Sequence, residues 1–192
     1  MPVIVQIMKK RIPYAVANYE EIVHDDYYFV DKTRFIHELE RYKIPVYLRP
    51  RRFGKSLWCS ILECYYDVNR ADRFDELFGE TDIGREPTEM RNSHLVMRFD
   101  FSKVEVAHQL PELEKTFTDV CRSALQAFAA AYCSIADFSP VLDPSLKAAG
   151  AMEKLLTLVK SQNTPPVHVI IDEYDNFTNQ LLTTHKDRKS VV

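Results

Sequence analysis

Only four glycines occur among the 192 residues, which are 46% hydrophobic and 28% charged, so neither a fibrous repeat nor a disordered polar chain fits and a folded globule is expected. Cys59, Cys64, Cys121 and Cys133 lack the paired C-x-x-C spacing of zinc sites, and small apolar cysteines on helices serve to fill core space. The six histidines, His24, His37, His94, His108, His168 and His185, show no H-x-x-x-H or similar ligand spacing and are read as surface or satisfied core residues, His168 as core. Nothing N-terminal resembles a secretory signal, and no apolar run approaches the ~20 residues of a spanning helix. A soluble protein of a reducing cytoplasm, with no membrane partner, is therefore expected. Internal repeats, low-complexity tracts and linkers are also missing. Net charge is only −3, so attraction to nucleic acid would need a local patch, and one exists in Arg49, Arg51, Arg52 and Lys55.

What is present reads as alternating strands and helices. Phe35, Ile36 and Leu39 give one apolar face to a helix that follows Asp31. Ile44-Pro45-Val46-Tyr47-Leu48 reads as a strand running into a basic loop, and Leu57, Ile61, Leu62 and Tyr65 then recur at helical spacing, so a helix begins at Ser56. Asp67 to Glu89 is acidic and broken by Gly79, Gly84 and Pro87, as expected of a surface excursion. Leu95 to Phe101 reads as a second strand, and the spacing of Leu110, Leu113, Phe117, Val120, Cys121, Ala124 and Phe128 predicts a long amphipathic helix. Asp143-Pro144-Ser145 predicts another helix start, and Val167 to Ile171 a third strand. Strands that alternate with helices require crossovers, hence an α/β fold with a mainly parallel sheet covered on both faces, and ligands bind such sheets at the carboxyl ends of the strands.

Two groups at such strand ends carry chemistry. A polyphosphate needs several converging donors, and a loop closing onto a helix N-terminus supplies N–H groups and the favourable end of the helix dipole. Gly54 permits close approach of the backbone, Lys55 reaches the outer phosphates, and the Ser56 hydroxyl is placed to ligate magnesium, as in G-x-x-x-x-G-K-[ST]. The first glycine of that pattern is replaced by Arg49, and Pro50 brings no N–H, so part of the usual cradle is lost or reshaped. The second group is Asp172-Glu173, two carboxylates that end a β-branched run. A carboxylate at the end of a core strand costs several kcal/mol unless paired or near a metal, so Asp172 is expected to face a cation and magnesium held through water satisfies it. Glu173 points elsewhere and is placed to act as general base on water. The plainer reading makes both acids solvated turn residues.

In order along the chain, Tyr28-Phe29-Val30-Asp31-Lys32-Thr33, Leu48-Arg49-Pro50-Arg51-Arg52-Phe53-Gly54-Lys55-Ser56-Leu57, Phe99-Asp100-Phe101-Ser102 and Ile170-Ile171-Asp172-Glu173-Tyr174-Asp175 resemble the AAA-ATPase-like family of bacterial and archaeal proteins, whose hallmark is the R-P-R-R-F-G-K-S loop. The resemblance spans nearly the whole chain and makes the missing first glycine a family trait. It implies a P-loop NTPase-type three-layer sandwich, with ATP and magnesium as ligands. Arg49, Pro50, Arg51, Arg52, Phe53, Gly54, Lys55, Ser56 and Leu57 would form the nucleotide loop, Ser56 and Asp172 would serve the metal, and Lys55 and Glu173 would be catalytic. Family members continue past D-E-Y-D through further strands, a polar sensor and usually a nuclease-like domain of the PD-(D/E)xK type. Residues 1–192 are thus expected to be one nucleotide-binding domain, truncated, with a sheet incomplete at its C-terminal side and its apolar edge exposed.

Three functions stand open at this level: a magnesium-dependent ATPase, a nucleotide-responsive regulatory or assembly module without turnover, and a nucleic-acid-binding fragment using the arginine loop. Related ATPases often complete their sites between subunits, so a homo-oligomer is a candidate partner, as is nucleic acid through the basic loop or an absent C-terminal domain. Tyr27, Tyr28 and Phe29 offer flat faces for adenine, against the plainer reading that they pack. Asp31-Lys32-Thr33 also fits a helix cap, and Asp100 a turn.

Overall fold

The computed structural model describes residues 10–48, 50, 52–104 and 110–174. The chain divides into two compact units, one made of 1–65 with 69–92 and the other of 66–68 with 93–192. Among the described residues no helix is long and apolar enough to cross a membrane.

The first unit is helical. Helix α1 (Tyr19–His24) opens on Asn18, whose side chain accepts from the N–H groups of Glu20 and Glu21 and so satisfies donors that the helix cannot. Helix α2 (Phe35–Leu39) buries Ile36, and helix α3 (Lys55–Tyr66) buries Ile61, Leu62 and Tyr65. Two short helices follow, α4 (Phe74–Phe78) and α5 (Asp82–Arg85). The expected surface excursion is thus a folded element. Phe74, Leu77, Phe78 and Ile83 are buried, while Asp72, Asp75, Glu76 and Glu80 face solvent. Tyr19 lies against Phe78 (5.2 Å between centroids), and Tyr65 meets Phe78 edge-on at 5.5 Å. The Tyr19 hydroxyl donates to the Leu77 carbonyl at 2.6 Å, so the largest buried ring of α1 also has its polar end satisfied.

The expected strand at Ile44–Leu48 is not formed. Ile44 lies in a bend and residues 45–48 are irregular, and Ile44, Val46 and Leu48 are 88%, 66% and 72% exposed. An apolar alternation states a preference for burial, whereas a strand also needs a neighbour to take its N–H and C=O groups, and Pro45 has no N–H to give.

The second unit holds the sheet. Strands β1 (Leu95–Asp100) and β2 (Val167–Asp172) pair in parallel, from Leu95 opposite Val167 to Asp100 opposite Asp172. Parallel pairing demands a crossover, here α6 (Leu110–Ala131) and α7 (Ala148–Ser161). Leu95, Met97 and Phe99 alternate onto one sheet face and pack with Cys121, Leu125 and Phe128 of α6 and Ala151 and Leu155 of α7. The fold class is accordingly α/β with a parallel sheet of two strands among the described residues. Asp143 does not open a helix. Its carboxylate accepts from the Ser145 N–H and hydroxyl at 2.8 and 2.7 Å, which closes a local turn, and α7 begins only at Ala148. Arg49, Arg51, His108, Asp175 and the tail Thr183 to Val192 lie outside the described residues.

Candidate functional site: a glycine-lysine-serine turn and an acidic strand end

The glycine-lysine-serine turn belongs to the first unit. Gly54 has φ +74°, and an added Cβ would meet nothing within 4 Å, so glycine is needed there for its backbone conformation rather than for space. Arg52, two residues earlier, is also left-handed at φ 67°, which costs a non-glycine residue about 1 kcal/mol. The Gly54 carbonyl accepts from the Trp58 N–H at 2.9 Å, the first rung of α3, which places Lys55, Ser56 and Leu57 in the first turn. N–H groups of a first turn have no acceptor within their helix, so this end presents donors and a partial positive charge. Lys55, Ser56 and Leu57 are partly exposed and Phe53 is 65% exposed. Behind the turn, Trp58 is buried and its ring stacks on Tyr47 at 6.1 Å.

The aromatic segment upstream is used for packing. Phe29 lies 5.4 Å from Tyr19, and Tyr27 lies under the Arg11 guanidinium at 4.8 Å, while Tyr28 is exposed. Asp31 and Thr33 do act as caps, but for a distant helix. Asp31 accepts from the Asp82 N–H at 2.6 Å and buried Thr33 accepts from the Ile83 N–H at 3.1 Å, so the segment is tied to the first turn of α5.

The acidic strand end belongs to the second unit. Asp172, the last residue of β2, is only 4% exposed. One carboxylate oxygen accepts from the Arg98 guanidinium at 3.0 Å and the other from the Glu173 N–H at 3.1 Å. The expectation that this acid faces a cation thus has a protein cation in it, on a residue the sequence reading did not single out. The available signal was a charge in the middle of Leu95-Val96-Met97-Arg98-Phe99, since an arginine in a buried strand needs a partner. Register explains the meeting. Asp100 is opposite Asp172 and Arg98 opposite Ile170, so Arg98, Asp100 and Asp172 share one sheet face. Asp100 accepts from the Ser102 N–H and hydroxyl at 3.1 and 2.6 Å and so fills its turn role. After Asp172 the chain turns sharply, with Glu173 at φ 53°, a left-handed conformation that sends its partly exposed side chain away from the strand line.

On the face shared with Arg98, His168 stacks on Tyr66 at 4.2 Å and meets His94 edge-on at 5.6 Å. Burial, helped by His94, pushes the His168 pKa down to about 4. His168 is accordingly a neutral packing residue. Burial pushes the Cys121 thiol up, away from a reactive thiolate.

Among the described residues no three His, Cys, Asp or Glu side chains gather at metal-binding distances. Asp172 nevertheless keeps acceptor capacity, because a carboxylate has about four lone-pair positions and its two observed bonds use only part of them. The donor set therefore fits contact with a metal through coordinated water, not a cage of carboxylates.

The chain matches the AAA-ATPase-like family, described as "Predicted AAA-ATPase", over residues 13–192, and it belongs to that family. It is 43% identical over 56 residues to a protein of Azotobacter chroococcum mcd 1 described as "Uncharacterized protein in vnfD 5'region", a match that spans 28% of this chain and 11% of that protein. No solved structure matches the chain at a significant level.

Proposed function

We propose that the chain is a magnesium-dependent ATP-binding module that hydrolyses ATP, with Lys55 and Ser56 on the phosphates and metal and Glu173 on the attacking water. The observation that carries the reading is Gly54 at φ +74°, which opens α3 with Lys55 and Ser56 in its first turn. First-turn N–H groups and the helix dipole favour phosphate there, and Lys55 adds a point charge. Each such charge-assisted contact contributes roughly 1.5 to 3 kcal/mol. The Ser56 hydroxyl would hold magnesium directly and Asp172 through water, within a three-layer P-loop arrangement. Magnesium, when bound, neutralises charge that develops on the transferred phosphoryl oxygens. Glu173 takes a proton from the water that attacks the terminal phosphorus in line, ADP leaves, and inorganic phosphate is released. A cytoplasmic setting, in which the four thiols stay reduced, accords with this.

Trp58 is the only tryptophan of the chain and sits one turn beyond Gly54, so its fluorescence reports on the turn. Titration with ATP and magnesium is expected to change that fluorescence saturably, and Lys55→Ala is expected to weaken binding by about tenfold or more. Equal binding by both proteins, or none by either, would remove the proposal.

The engagement of both Asp172 oxygens favours a second reading, a nucleotide-responsive regulatory module that binds without turnover. Phosphate release measured beside binding separates the two.

A further inference from the structure

We propose that Arg98 is the standing counter-ion of Asp172 and makes metal binding at this acid conditional on nucleotide. The inference rests on the reading above that Asp172 supports the metal of an ATP site.

Arg98 stands in β1 between buried Met97 and Phe99, and its side chain reaches Asp172 on the neighbouring strand at 3.0 Å. The acid is 4% exposed and its second oxygen is held by the Glu173 N–H, so the carboxylate is fixed in orientation and its charge is already balanced. A bare divalent cation approaching it would meet the guanidinium charge at close range, in a site where screening by water is weak. Metal that arrives on a nucleotide is different, because the polyphosphate brings negative charge to offset both cations. The Arg98–Asp172 pair thus discriminates against the free ion while it keeps the acid oriented for the complexed one. Arg98 is a positioning residue that acts through Asp172. The opposed strands fix the geometry: Arg98 lies two residues before Asp100, the register partner of Asp172, so all three are on one sheet face.

The test titrates manganese(II) into the full chain, following free ion by electron paramagnetic resonance, with and without a non-hydrolysable ATP analogue. Wild type is expected to take up manganese only with the analogue, in a Lys55-dependent manner. Arg98→Met is expected to bind the ion without nucleotide about tenfold or more tightly than wild type, the scale of one charge-assisted contact. Arg98→Lys should restore the wild-type dependence, and Asp172→Asn in the Arg98→Met background should abolish the gain. Should Arg98→Met fail to fold, Arg98→Gln, which keeps a donor but no charge, serves in its place. Equal nucleotide-free affinity in wild type and variant, a gain that survives Asp172→Asn, or tight nucleotide-free binding by wild type each overturns the proposal while leaving the ATP reading intact. Absence of binding with the analogue, or binding that Lys55→Ala does not weaken, removes the ATP reading and this inference with it.

Discussion

The turn at Gly54 and the strand end at Asp172 are held by opposite means. Around Gly54 the chain depends on backbone conformation, with two left-handed residues within three positions, an exposed Phe53, and a flanking irregular segment in which Ile44, Val46 and Leu48 are exposed. At Asp172 a buried carboxylate is fixed by a guanidinium from the adjacent strand and by the next N–H in its own chain. The first region opens a helix whose first-turn N–H groups have no acceptor within that helix, whereas in the second both carboxylate oxygens accept from groups of the protein.

The largest effect expected at the strand end is kinetic. Glu173→Gln should lower phosphate release by about 10²- to 10⁴-fold, the range of a lost general base, with ATP affinity retained. Coupled phosphate detection beside Trp58 fluorescence measures both, and loss of affinity in parallel with rate would place Glu173 in binding instead.

Removing the buried acid should cost fold stability. Asp172→Ala strips Arg98 of this partner and is expected to lower unfolding free energy by about 3 kcal/mol, the lower end for a broken buried pair. The Arg41–Glu38 pair is the exposed counterpart, with side chains 73% and 53% exposed, and Glu38→Ala should leave stability nearly unchanged. Urea unfolding of both variants gives the contrast, and equal costs would erase it.

The second unit should also carry an acid-sensitive contribution from His168. Burial lowers the His168 pKa to about 4, whereas the unfolded chain titrates at the ordinary histidine value near 6.5. Between these values the unfolded state binds a proton that the folded state refuses, so the stability is fully present above about pH 6.5 and is lost as pH falls to about 4. The loss should be about 3 kcal/mol, and His168→Phe, which keeps a ring against Tyr66, should flatten that part of the urea-midpoint profile.

Gly54→Ala is a mild change. With open space around the added methyl, its cost is conformational alone, about 1 kcal/mol, and should fall on nucleotide affinity or on local order of the turn rather than on the core.

These contrasts explain what the amino-acid order could disclose. Helix α3, helix α6 and strand β2 were legible because local pattern determines them, and the helix expected from Ser56 begins one residue earlier, at Lys55. The same periodicity was present in Phe74, Leu77 and Phe78, but the acidic residues between them suggested a solvated loop. They are the outer face of α4. Ile44 to Leu48 failed in the other direction, since alternation cannot reveal whether a strand has a neighbour. Arg98 and Asp172 are 74 positions apart, and only the crossover through α6 and α7 brings their strands into register. Asp31 and Thr33 likewise read as caps, yet the helix they cap begins about fifty residues later, a distance set by tertiary folding.

The central claim is that the lysine-serine turn and the acidic strand end serve one nucleotide, and a double-mutant cycle on magnesium-ATP affinity addresses it. Lys55→Ala, Asp172→Asn and their combination should show a coupling of at least about 0.5 kcal/mol, with the double variant losing less than the sum of the single losses. Losses that add to within about 0.3 kcal/mol would mean that the two groups act independently and would contradict a shared site.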